Sequence, residues 1–356
     1  MNIIALEKII MTQTSLLVLI LIYSIQLKAQ TITVGFYNCE NFYDTTNQLK
    51  VNDEDFLPTS AKSYTSSIYA AKSNRLSKVI YALGKMDNGT GIALMGVVEI
   101  ENKTVLDKLV AEPILKKYHY KYLHFDSRDL RGIDVALIYN PAFFIPYQYQ
   151  PYSLTDATHF NDYATRDILY VKGTLSSQWV HILVNHWPSR RGGSFISKNK
   201  RIWAATVCKK IIDSVCQREP NAKFIVMGDF NDNPNDKSVR KLALYNPFLS
   251  LFKKGIGSIA FRDSWSLFDQ ILISPNWETS KSPEDQPDSL APSLKLNKLT
   301  NYKPIIYTNP DMIETHGKYL GYPKRTYDGD QFRGGYSDHF PVALIFKAKN
   351  AKKPLK

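Results

Sequence analysis

Cysteine is scarce in this chain, with three in 356 residues, so a disulfide scaffold is excluded. Cys208 and Cys216 fall on one predicted helix, about 12 Å apart along its axis and too far for a bridge within it. With Cys39 they are read as small buried side chains. Acidic residues are the minority charge, 33 Asp plus Glu against 45 Lys plus Arg, for a net +12. That balance excludes an acidic solvating chain and suits a polyanionic partner without naming one. Internal repeats and low-complexity linkers are absent, as are a Cys/His zinc cluster, an HExxH pair and a GxSxG nucleophile motif. Disorder is excluded in turn, because 17 Phe and 22 Tyr supply apolar surface to bury.

One apolar run stands apart. Ser15–Ile25 reads SLLVLILIYSI and precedes Leu27-Lys28-Ala29-Gln30. It falls short of the roughly 20 apolar residues that span a bilayer and fits the core of a secretory signal cleaved near Ala29. We therefore expect residues 1–29 to be a signal peptide, and the mature chain to be periplasmic or extracellular with no stable membrane insertion. Lysines 347, 349, 352, 353 and 356 make residues 348–356 a basic C-terminal tail, which leaves residues 30–347 as one domain.

Short apolar runs predict strands at Ile32–Tyr37, Ile92–Val98, Val135–Tyr139, Ile168–Val171, Val180–Val184, Phe224–Met227, Gln270–Ile273 and Val342–Phe346. Leu76, Val79, Ile80 and Leu83 share a helix face stopped by Gly84, and Trp203, Val207, Ile211 and Val215 mark a second helix. Many strands with few helices predict sheets packed face to face with helices outside. Ser274–Arg333 is polar and proline-bearing and reads as a long inserted loop.

Unusual polar residues cluster at the strand ends. Asn38, Glu99, His186, Asp229 and Asn231 follow predicted strands, whereas Asp269 and His339 precede them. All gather at one edge if the last two strands run antiparallel to the others. Glu99 and Asn38 offer hard oxygen donors suited to Mg²⁺, with Mn²⁺ or Ca²⁺ as alternatives. Histidines beside carboxylates serve as acids, bases or stabilisers of phosphoryl charge. The set suits hydrolysis at phosphorus.

These residues lie in FYNCENFYD, GVVEIEN, RGIDVALIYNP, TRDILYVKG, VNHWPSRRGG, MGDFNDNP, SLFDQILIS and GGYSDHFPVAL, in that order. The ordered set resembles the endonuclease/exonuclease/phosphatase superfamily of metal-dependent phosphohydrolases, in an exported bacterial branch. The resemblance implies an α+β fold, a four-layer αββα sandwich of two packed mixed β-sheets flanked by helices. It makes Glu99 the principal metal ligand, with Asn38 beside it and Asp338 as a metal-site aspartate. Asp229 positions or activates water, Asn231 contacts phosphate, and His339 contacts the scissile phosphate with Asp269 as its partner. His186 matches a strand-end histidine of pancreatic-type deoxyribonucleases and bacterial sphingomyelinases, which makes Asp167 its carboxylate partner. Arg190, Arg191, Lys324 and Arg325 are candidates for flanking phosphates, and Arg131 for the cleft. The function implied is a Mg²⁺-dependent phosphodiesterase, a non-specific nuclease by preference, acting on nucleic acid as a monomer with no protein partner. A phospholipid or inositol-phosphate phosphohydrolase is the alternative.

Overall fold

The computed structural model describes residues 31–86, 89–156, 163–191, 193–277 and 299–348, so the expected signal segment and most of the basic tail lie outside the described residues. In chain order the first strands are β1 (Thr31–Phe42), β2 (Leu94–Ile100), β3 (Lys121–His124), β4 (Asp134–Tyr139) and β5 (Phe144–Asp156). There follow β6 (Tyr163–Leu175), β7 (Gln178–His186), β8 (Phe224–Asp229), β9 (Ile259–Phe261) and β10 (Ser264–Ser266). The last are β11 (Asp269–Ile273), β12 (Leu299–Ile306), β13 (Tyr327–Asp328), β14 (Gln331–Phe332) and β15 (Val342–Ala348). The longer helices are α1 (Ser66–Lys85), α2 (Lys103–Val110) and α3 (Ser194–Arg218).

Six strands form one mixed sheet in the order β12-β15-β1-β2-β4-β3, and five form a second, β11-β8-β7-β6-β5. The sheets pack face to face. Val34, Val98, Val184 and Met227 meet between them, while α1 and α2 cover the outside of the first sheet and α3 the outside of the second. Each such aliphatic side chain removed from water contributes about 1.5–3 kcal/mol. This is the expected four-layer α+β sandwich. Thr65 caps α1 by accepting from the Ile68 N–H, and Asn102 caps α2 by accepting from the Val105 N–H.

Every apolar run read as a strand is one, although β2 starts at Leu94 rather than Ile92, and α1 passes through Gly84 to end at Lys85. Cys39 and Cys208 are buried as expected, whereas Cys216 is half-buried. The inserted loop is a correction. Part of Ser274–Arg333 is β12, which pairs antiparallel with β15 and forms an edge of the first sheet, and part is the β13–β14 hairpin. The sequence LTNYKPII hides that strand because an edge tolerates Pro304 and polar residues.

Strand direction creates the site. β1 is parallel to β2 and β7 to β8, while β11 runs antiparallel to β8 and β15 to β1. The carboxyl ends of β1, β2, β7 and β8 therefore meet the amino ends of β11 and β15. One glycine brings the two sheets close and another brings β8 close to its neighbour β7. A Cβ on Gly96 would lie 2.5 Å from the Met227 sulfur across the sheets, and one on Gly228 would lie 2.6 Å from the Asn185 carbonyl oxygen. Among the described residues no helix is long and apolar enough to cross a membrane.

Candidate active site

Strand alternation explains which side chains reach the site. The inter-sheet row of β1 runs Val34 and Phe36 to Asn38, and that of β7 runs Ile182 and Val184 to His186. In β8, Ile225 and Met227 lead to Asp229, and in β11, Ile271 leads to Asp269. Each row is apolar through the core and turns polar at the same edge.

Glu99 breaks this parity. Val98 already faces between the sheets, so an unbroken strand would send Glu99 outward. Instead β2 carries a register shift between Val98 and Ile100, and Glu99 takes a φ of 56°. β1 is irregular between Asn38 and Phe42, where Glu40 and Asn41 have φ of 49° and 52°, and Asn231 has 49°. Left-handed backbone at a non-glycine residue costs about 1–3 kcal/mol, and here it aims site residues.

The carboxylates and imidazoles face one another. Glu99 Oε2 accepts from the Asn41 N–H at 2.9 Å and lies 3.4 Å from the Arg131 guanidinium, while Oε1 lies 3.8 Å from His186 Nε2. Burial disfavours charge on Glu99, but Arg131, His339 and Arg166 together with the Asn41 N–H hold its carboxyl below the usual range. Asp229 Oδ2 lies 3.7 Å from His186 Nε2 and 3.9 Å from His339 Nε2. Burial pushes Asp229 up to about 7, with His339 opposing and Asp269 reinforcing the rise. The Asn231 N–H donates to Asp229 Oδ1 at 2.9 Å, and its side-chain amide donates to the Trp187 carbonyl at 3.0 Å.

The two histidines are held in opposite states. His339 Nδ1 bonds Asp269 Oδ2 at 2.6 Å, and Ser258 donates to the same oxygen at 2.5 Å. Burial disfavours the imidazolium, but Asp269 outweighs it, with Asp338 and Asp229 adding, and raises His339 well above its ordinary value. His186 is buried beside Arg166, Arg131 and charged His339, all of which push it well below its ordinary value.

Other expected residues fall less simply. Asn38 Oδ1 accepts from the Glu40 N–H at 2.8 Å, which fixes the amide so that Nδ2 points at Asp229 (3.1 Å) and Glu99 (3.4 Å). Asn38 thus ties two carboxylates together instead of presenting a ligand oxygen. Asp338 Oδ1 lies 3.9 Å from His339 Nε2, and Oδ2 lies 3.4 Å from Arg325. Arg190 is tied to Asp232 at 3.1 Å and Asp236 at 3.2 Å and sits over the Phe268 ring, so its charge is spent within the fold. Arg191 is exposed and Lys324 half-buried.

Asp167 does not partner His186. In the β5–β6 ladder Tyr152 pairs with Ile168 and Leu154 with Thr165, so Arg166 and Asp167 together oppose Ser153. That bulge buries Arg166 and turns Asp167 away, where its Oδ1 accepts from the Leu154 N–H at 3.2 Å. His186 Nδ1 is buried with no hydrogen-bond partner. Arg166 supports the site instead, donating to the Trp187 carbonyl at 2.8 Å and to Asp129 at 3.1 Å.

Sequence reading also missed Ser258 and the buried Lys72–Glu40 pair. Lys72 donates to Glu40 at 3.4 Å, to Thr326 at 2.5 Å and to the Tyr336 carbonyl at 3.0 Å. A lysine on the apolar stripe of α1, in line with Leu76 and Leu83, was the available signal.

The donor set fits a hard divalent cation. Glu99 is a partly buried carboxylate whose Oε1 has only long contacts, and Mg²⁺ needs one or two carboxylates beside water and phosphate oxygens. Asp229, Asp269 and His339 also lie within ligating reach of one another. The His339–Asp269 hydrogen bond already engages two of the three. The group His124, Asp126 and Asp134 is likewise engaged, with His124 at 3.0 Å from one Asp134 oxygen and the Ser127 N–H at 2.8 Å from the other.

Comparison with known proteins agrees with the fold. The model of the Endonuclease/Exonuclease/phosphatase family matches residues 33–348. A search of curated protein sequences finds no relative. Among solved structures, a family protein from Bacteroides thetaiotaomicron is 16% identical with a TM-score of 0.53, over 91% of this chain and 100% of that one. TDP2 from Caenorhabditis elegans is 12% identical with a TM-score of 0.54, over 90% of this chain and 76% of that one. A mannosyl-6-phosphatase from Bacteroides thetaiotaomicron is 16% identical with a TM-score of 0.51, over 88% and 98%. At such identities the likeness is one of fold.

Proposed function

This chain belongs to the endonuclease/exonuclease/phosphatase family, and on that premise we propose that it is a Mg²⁺-dependent phosphodiesterase acting on nucleic acid outside the cytoplasm. The family gives the coarser activity, hydrolysis of phosphoester bonds. The observation that carries the finer reading is the histidine pair about Asp229, with His339 Nε2 at 3.9 Å and His186 Nε2 at 3.7 Å beside Glu99.

These residues divide the work of hydrolysis. A water attacks phosphorus in line, and Asp229, poised near neutrality, accepts its proton. His339 donates a hydrogen bond to the phosphoryl oxygens as charge builds on them, with Asp269 fixing its orientation and charge. His186 Nε2 faces the same space and leaves the net positive charge lower than two imidazoliums would. Glu99 would hold the cation, which when bound neutralises phosphoryl charge as a Lewis acid. The attacking oxygen ends on phosphorus as the phosphorus–leaving-oxygen bond breaks.

One observation favours a second reading. Arg190 is saturated by Asp232 and Asp236, and Arg325 leans on Asp338, so few cations remain for the phosphates flanking a scissile one. A small substrate, such as a phospholipid headgroup, an inositol phosphate or a sugar phosphate, needs fewer. A panel of plasmid DNA, RNA, sphingomyelin, inositol phosphates and mannose 6-phosphate with Mg²⁺ decides between them. Chelator-sensitive cleavage of DNA or RNA is the expected result. Release of phosphocholine or free phosphate with nucleic acid untouched would replace it with the second reading.

A further inference from the structure

The end of the sandwich opposite the site has its own chemistry. β7 starts there and reaches the site at His186, about 23 Å from Trp179 at ~3.3 Å per residue. Ile145 pairs with Thr174 and Thr174 with Trp179, so the three lie in one row on the outer face of the second sheet. Ile145 is 66% exposed, Tyr147 74% and Trp179 51%, and the Tyr147 and Trp179 rings stand 5.6 Å apart edge to face. Single exposed apolar residues are ordinary, whereas Ile145, the bulge residue Tyr147 and Trp179 stand exposed near one another about Thr174, a grouping that suits a contact surface.

Beside the row, Lys172 lies over the Trp179 ring and is paired with Glu219, and further cations stand on the first sheet's side of the same end. Lys85 ends α1, Lys117 precedes β3 and Lys121 begins it, and all three are exposed. β1 begins at Thr31, opposite Lys347 of β15, so the chain on both sides of the fold leaves from this end. Residues 349–356 carry four lysines and no acid.

We propose that this end is a docking surface for an anionic membrane, with Ile145, Tyr147 and Trp179 entering the interface and the lysines meeting lipid headgroups. Aromatic rings with one wet edge suit the interfacial zone, and each lysine near an anionic surface adds attraction. The same lysines would repel a second copy of the chain, which disfavours self-association as the purpose of the row. The active site then faces away from the lipid that holds the protein and receives substrate from the water phase. This goes beyond the proposed reaction and does not depend on it.

Vesicle co-sedimentation tests the surface. The chain from Gln30 onward keeps every described strand and helix and removes the apolar run from the measurement. It should bind vesicles of mixed phosphatidylglycerol and phosphatidylcholine and not phosphatidylcholine alone, and salt should weaken binding. Two variants are compared, Ile145→Ser/Tyr147→Ser/Trp179→Ser and Lys117→Glu/Lys121→Glu. Each should bind about tenfold more weakly or worse, with hydrolytic activity retained as the check on folding. If the triple variant loses activity, the charge variant alone decides. Equal binding by the variants, no binding by the parent chain, or self-association abolished by the same substitutions would each overturn the proposal.

Discussion

At one end of the sandwich the inter-sheet rows finish in Asn38, His186, Asp229 and Asp269, nearly all shielded from water; at the other, Ile145, Tyr147, Trp179 and lysines stand in it. Both ends contain left-handed residues, but for different reasons. Ser176 and Ser177, with φ of 46° and 66°, close the two-residue turn between β6 and β7, where positive φ matches the strand twist. Glu40, Asn41, Glu99 and Asn231 close no hairpin; at Glu99 the strain turns a carboxylate into a space that parity would deny it. The first strain serves connection and the second serves chemistry, held in place by the packed sheets beneath.

That contrast can be broken first at Glu99. Glu99→Ala should lower the Mg²⁺-supported rate by about 10³- to 10⁴-fold, several kcal/mol of charge stabilisation, in a steady-state assay. The Tyr147→Ser/Trp179→Ser variant should leave that rate unchanged.

Arg166→Ala strands Asp129 in the interior. Breaking a buried pair costs about 3–5 kcal/mol, readable as a lower urea midpoint. His339→Ala removes the charged donor and should lower kcat by about 10²- to 10³-fold, with melting temperature checked in parallel.

Titration sharpens the comparison. Burial lifts Glu40 and Asp229 to about 7 and Glu101 to about 8, all beside the site end. Their folded values exceed the unfolded ones, so the stability they contribute is complete below about 4 and is lost as pH rises through 7 to 8. His339 acts in the same sense. His186, held neutral, acts in reverse but only below its ordinary value of about 6.5. Chelator-treated protein should therefore melt at a lower temperature at pH 8.5 than at pH 6.5. The smallest effect is expected at Asp167. Asp167→Asn keeps an acceptor for the Leu154 N–H and should change the rate by about twofold at most.

Legibility in the sequence followed the same physical lines. Strands covered on both faces, such as β2 and β8, read as continuous apolar runs. The strands that escaped notice in the two sheets, β3, β5 and β12, are all edges, where Pro146, Pro151 and Pro304 and polar residues are tolerated. Asn38, His186, Asp229 and Asp269 were visible because they continue apolar rows with period two. Arg166 and Asp167 were confused because one extra residue in β6 reverses parity, and no composition signal announces a bulge. The Ser258–Asp269 and Lys72–Glu40 contacts join residues that only the fold brings together.

The central claim is that Glu99 holds a divalent cation in a site built for phosphoester hydrolysis. The most direct measurement is hydrolysis of bis(4-nitrophenyl) phosphate by the purified chain, with Mg²⁺ titrated in and then removed by chelator, beside Glu99→Gln. The account predicts a rate that rises saturably with Mg²⁺ and returns to background in chelator and in the variant. An undiminished rate in either would contradict it.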